Sequence, residues 1–148
     1  MDSNGTEMTI REATVFTLEK SQDELKSISA DFKTASGFFE EGKDSEGLSL
    51  IASGIVPRVK NLFEFCHTVL SIFSDVLDEE LREDFLKKYL SLEELMNNLI
   101  SETSKGNFAE VGDIMRFDFT DLINDISVLF PKVADAFRKS DRKELDDY

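Results

Sequence analysis

At 148 residues, 41% hydrophobic and 32% charged, the chain has the size and balance of one domain with a packed core, not of a disordered polymer. Its formal net charge of −14 excludes the basic surface that nucleic acids or anionic lipids require, and leaves solubilisation or a basic protein partner as the use of the acid. Cys66 is the only cysteine, so no internal disulfide forms, which fits a cytoplasmic setting, and no apolar run approaches the roughly 18 residues of a membrane span.

The opening "MDSNGTEMTI" has no basic stretch followed by an apolar run, so no secretory signal is expected. Residues 1–19 read as an N-terminal arm, a first helical turn or a short extended piece. Thirteen phenylalanines stand against two tyrosines and no tryptophan. Phenylalanine has no polar tip, so most of these rings are expected to fill a core.

Leu18, Leu25, Phe32 and Phe39 recur at seven-residue spacing, with Ile28 and Ala35 between them, which makes one stripe on one helix face. Ser21 and Glu24 have the spacing of a capping box and mark a candidate start. "EGKDSEG" (41–47) is a turn by composition, with Asp44 or Ser45 as the next cap. A second helix, about 46–76, follows Leu48, Ile55, Leu62, Val69 and Val76. Pro57 should bend it, or mark a break together with Gly54.

"SDVLDEE" supplies acids for the start of a third helix, about 79–104, striped by Leu81, Phe85, Leu92, Leu95 and Leu99. Ser91 and Glu94 repeat the capping-box spacing, so this stretch could divide near Ser91 and give five helices. Gly106 suits a left-handed helix end, and Asn107 then caps a fourth helix that runs to about 139 and is interrupted at Pro131. Arg138, Lys139, Arg142 and Lys143 complement its carbonyl-rich end, and residues 140–148 are expected to fray. No period-two alternation demands a sheet. The expectation is an all-α, single-domain, antiparallel four-helix bundle over 1–148, with helices two and four bent at Pro57 and Pro131.

Four aspartates in "GDIMRFDFTDLIND" invite a metal or acid/base reading. At about 100° per residue, however, Asp118 and Asp125 edge the apolar face, Asp121 lies further out and Asp113 points nearly the opposite way. They do not converge. The same wheel puts Ile114, Phe117 and Val128 on the polar side near Asp121, so Ile114, Phe117, Asp118, Asp121 and Val128 form a candidate partner-docking strip. The competing reading is a broad face buried between two neighbours.

Glu64 and His67 have the Glu-x-x-His spacing of di-iron bundles. His67 is the only histidine, so the second pair such a site needs is missing, and a surface hydrogen bond or ion pair is the better reading. Cys66 groups with Leu62, Val69 and Phe73 as a small buried hydrophobe, since adjacent helical residues diverge. No nucleophile elbow, Walker loop or dinucleotide fingerprint occurs. No catalytic, cofactor-binding or metal residue is assigned.

Two segments resemble a family of small all-helical bacterial proteins associated with motility and flagellar genes. They are "FFEEGKDSEGLSLIASGIVPRVKNL" (38–62) and "NFAEVGDIMRFDFTDLI" (107–123), about a third of the chain. Asn107, Arg116, Phe117 and Asp118 depart from that family's usual acid, Glu, Tyr and Glu, and a proline expected soon after is absent. The resemblance implies an adaptor or chaperone-like role without a reaction, and makes Asp113 and Asp118 family features. The leading expectation is therefore a non-enzymatic helical interaction module that binds a partner's amphipathic helix. A carboxylate metal-binding bundle or metal-dependent enzyme is one alternative, and a structural, self-associating homo-oligomer is another.

Overall fold

A reciprocal cap sets the start of the first helix. Thr9 Oγ1 accepts from the Glu12 N–H at 3.1 Å, and Glu12 Oε1 accepts from the Thr9 N–H at 3.0 Å. Helix α1 then runs Ile10–Glu40 in the computed structural model, which describes residues 7–148. Residues 10–19 are thus its first turns, and the rest of the expected arm, residues 1–6, lies outside the described residues. The expected start at Ser21 is not used. Ser21 lies mid-helix and its hydroxyl donates to the Thr17 carbonyl at 2.6 Å.

Two glycines make the two tightest joints. Gly42 and Gly106 have φ of +74° and +72°, where an L side chain would be strained. At the first, the Lys43 N–H reaches back to the Phe38 carbonyl at 2.8 Å; at the second, the Asn107 N–H reaches the Glu102 carbonyl at 3.0 Å. Both close the preceding helix with a Schellman pattern.

The same plan follows each joint. A short helix (α2, Asp44–Leu50, or α5, Phe108–Asp113) passes through a π-helical stretch (Ile51–Ile55 or Ile114–Phe119) into a long helix (α3, Val56–Ile72, or α6, Thr120–Lys139). Between them α4, Glu79–Ser104, runs unbroken through Ser91. Its cap is Asp78, whose carboxylate accepts from the Leu81 N–H at 2.8 Å. Asn107 holds the cap position of α5 without a side-chain capping bond, as Lys43 does at α2. The described residues are all-helical and contain no strand.

Aromatic pairs order the rods. Phe32 meets Phe119 and Phe39 stacks on Phe108, with ring centroids 5.1 and 5.6 Å apart, so α1 meets the α5–α6 rod in reverse order. Phe85 meets Phe130 at 6.3 Å and Lys88 reaches Asp125 at 3.0 Å, again in reverse order. Phe65–Phe130 and Phe73–Phe137 run in the same order. Phe32, Phe85, Phe119, Phe130 and Phe137 are fully buried, which is where the phenylalanine excess goes. Gly47 is required by this packing, since a Cβ there would stand 2.7 Å from the Phe39 ring.

The two prolines sit at different places in their rods. Pro57 is the second residue of α3, just after the π-helical stretch Ile51–Ile55 and within a continuous helical backbone. Pro131 lies inside α6, which continues through it. Its absent N–H would have bonded the Ser127 carbonyl, and the Gln22 side-chain amide donates there instead, at 3.1 Å.

The C-terminal residues do not fray. Leu145 is completely buried, and Arg142 donates to the Ile72 carbonyl at 2.7 Å and to Asp75 at 2.6 Å with its guanidinium 5.1 Å from the Phe73 ring centre. The Asp147 carbonyl accepts from the Ile10 N–H at 2.8 Å. Arg142 therefore serves the carbonyl end of α3, not that of α6 as its position in the chain suggests. A single leucine among charges reads as solvated, yet here it anchors the segment.

Candidate functional site

The expected docking strip is only partly assembled. Phe117 and Val128 are 55% and 61% exposed, and Asp118 and Asp121 are exposed beside them. Ile114, the fifth member, is 3% exposed and belongs to the core. The π stretch explains why Ile114 is buried. One extra residue per turn between 114 and 119 rotates everything before it by about 100° relative to a regular helix, which carries Ile114 from the outer face to the inner one. Phe117 keeps its outward place, with the Arg116 guanidinium 5.8 Å from its ring centre and Arg116 paired to Glu40. Asp125 faces α4 through Lys88, so the four aspartates remain apart.

His67 makes the hydrogen bonds expected of a surface group. Its Nδ1 is 3.0 Å from the Tyr89 hydroxyl and its Nε2 3.2 Å from the Ser71 hydroxyl. The Tyr89 ring stacks on Phe63 at 4.6 Å. Its phenol is held above its ordinary range, first by burial and then by Glu93. Cys66 is 1% exposed, and burial pushes its thiol up to about 12. A thiol so far from ionising is a packing group and a poor nucleophile. Among the described residues, no three His, Cys, Asp or Glu side chains gather as a metal-binding group, and no helix is long and apolar enough to cross a membrane.

The most developed concave surface lies elsewhere. Helix α1 packs mainly on α6 and α2 and hardly on α3. Arg58 clamps the two at one point: it pairs with Asp31, donates from Nη1 to the Ser27 hydroxyl at 2.9 Å and from Nε to the Gly54 carbonyl at 2.6 Å, and lies 3.7 Å from Glu24. On one side of that clamp a groove of about 720 Å³ separates α1 from α3. Leu25, Ile28 and Leu62 form its buried floor, and Phe16 and Phe65 its apolar walls. Phe16 is 49% exposed, and Lys20 lies 5.7 Å over its ring. Asp23, Glu24 and Asn61 complete the rim.

From Phe16 to Ile28 the groove follows α1 for about 18 Å, a little over three helical turns. That is the footprint of one docked helix, and its volume also falls in the range of small-molecule clefts. The periodic stripe did not reveal it. Phe16 stands two residues before Leu18 and off the Leu18–Leu25–Phe32 line, and that off-stripe aromatic was the available signal.

No protein-family model, curated protein or solved structure matches this chain. A functional reading therefore rests on what these surfaces can bind.

Proposed function

We propose that the chain is a non-enzymatic helical interaction module that seats a partner's amphipathic helix in the α1–α3 groove. The observation that carries this reading is the half-exposed Phe16 standing over a buried Leu25–Ile28–Leu62 floor along three turns of helix. An apolar face laid there would cover Phe16 and Phe65, and burial of such rings supplies most of the binding energy of helix-in-groove complexes. With a net charge of −14, the surface favours a partner helix flanked by lysine or arginine. At the rim, Arg58 is already neutralised by Asp31 and Lys20 lies over the Phe16 ring, while the exposed Asp23 and Glu24 can meet a basic side chain.

Architecture enters the same reading as an antiparallel four-helix bundle whose second and fourth rods bend at Pro57 and Pro131. The likeness of 38–62 and 107–123 to the motility-associated helical family supports a cytoplasmic accessory or chaperone-like role. A second surface, Phe117 with Asp118, Asp121 and Val128, is favoured by the exposure of its two apolar members.

The test is a fluorescence-anisotropy titration with an amphipathic leucine/lysine peptide of about four turns. Asn61→Trp, which fills the groove, and Phe16→Ser should each weaken binding at least tenfold, while Phe117→Ser leaves it unchanged. Loss on Phe117→Ser alone would transfer the site to the α6 strip. Equal binding by all variants would refute both surfaces.

A further inference from the structure

On the opposite flank of α1 lies a pocket whose chemistry runs against the rest of the protein. It occupies about 330 Å³ between α1 and α6, and its polar lining is Gln22, Lys26, Ser29, Lys33, Asn124 and Ser127. No carboxylate lines it, although acids outnumber bases 31 to 17 in the chain. Among the described residues, neither Lys26 nor Lys33 is ion-paired. Two neighbouring acids are turned away: Asp31 is held by Arg58 on the α3 side, and Asp125 by Lys88 on the α4 side. Ser29 Oγ is shielded from solvent and has no hydrogen-bond partner.

We propose that this pocket binds a small polyanion carrying phosphate or carboxylate groups. Lys26 and Lys33 lie two turns apart on α1, about 10 Å along its axis, and can close on a ligand from both ends. The Asn124 amide adds a donor between them, and donors without competing acceptor charge are what an anion requires. The overall negative charge does not prevent this. At physiological ionic strength the Debye length is about 8 Å, so a ligand in the pocket responds chiefly to the two lysines. Gln22 is pinned to the Ser127 carbonyl by the need that Pro131 creates, which fixes the floor of the site. The proposal is independent of the α1–α3 groove, since it uses the other side of α1.

The experiment is calorimetric titration of the full chain with inorganic pyrophosphate and, separately, with citrate. Backbone amide shifts are followed at Ser29, Asn124 and Ser127. Saturable binding is expected with at least one of the two ligands, and the stronger one identifies the anionic group. Lys26→Ala with Lys33→Ala should weaken it at least tenfold. The control pair Lys105→Ala with Lys143→Ala, which removes the same charge elsewhere, should change it less than twofold. Absence of saturable binding to both ligands, shifts confined to other residues, or equal weakening by the two pairs would overturn the proposal.

Discussion

Replacing Ile114 with alanine tests the π stretch of the fourth rod directly. In a regular helix Ile114 would project into solvent beside Phe117, and its truncation would change stability by less than about 0.5 kcal/mol. Observed at 3% exposure, it instead fills the core. Ile→Ala removes three buried carbons, each worth about 0.8 kcal/mol in transfer free energy, or roughly 2.4 kcal/mol before any cavity term. Incomplete collapse of the site brings the expected loss to about 3 kcal/mol. For a chain of this size that lowers Tm by about 10 °C. Phe117→Ala, at 55% exposure, is the internal control and should stay within about 0.5 kcal/mol of wild type. Urea denaturation followed by circular dichroism measures both, with an unchanged m-value confirming a comparable unfolding transition. A neutral Ile114→Ala, as harmless as Phe117→Ala, would mean the rod has regular α-helical phase at 114, and would refute the rotation.

Leu145→Ala should cost about 2–4 kcal/mol in the same assay, because a fully buried leucine anchors the last residues; a frayed segment would show no change. Cys66 should resist a thiol-specific reagent in the native protein at pH 8 and react promptly in urea; rapid native labelling would contradict its burial. Its thiol is raised from 9.0 to about 12, so the unfolded chain ionises first. The stability attached to this group is complete below about pH 9 and is lost as pH climbs toward 12. Relative to Cys66→Val, the wild type should therefore lose about 1 kcal/mol between pH 8 and pH 10, read as a difference of urea midpoints; parallel pH profiles would refute it.

The helices were legible because their apolar residues recur at intervals that only one face of a 3.6-residue turn can satisfy. Leu18, Leu25 and Phe32 of α1 and Phe85, Leu92 and Leu99 of α4 lie buried as that periodicity requires. Gly106 and Asp78 were legible for chemical reasons, a left-handed joint and a carboxylate at a helix start. Ser21–Glu24 and Thr9–Glu12 share one spacing, and only tertiary packing decides which of the two caps. The rotation at Ile114 comes from one additional residue in a turn, and no residue type announces it. The groove depends on how far α1 stands from α3, a relation between rods that no local pattern encodes. Leu145 was hidden by its charged neighbours.

We propose that this protein acts through the α1–α3 groove. The most direct measurement is an amide chemical-shift map of the labelled full chain titrated with the leucine/lysine peptide and with its leucine/glutamate counterpart. Saturable shifts are expected along Phe16–Ile28 and Arg58–Phe65 with the basic peptide, and much weaker ones with the acidic peptide. Shifts centred on another face, or indifference to the peptide's charge, would contradict it.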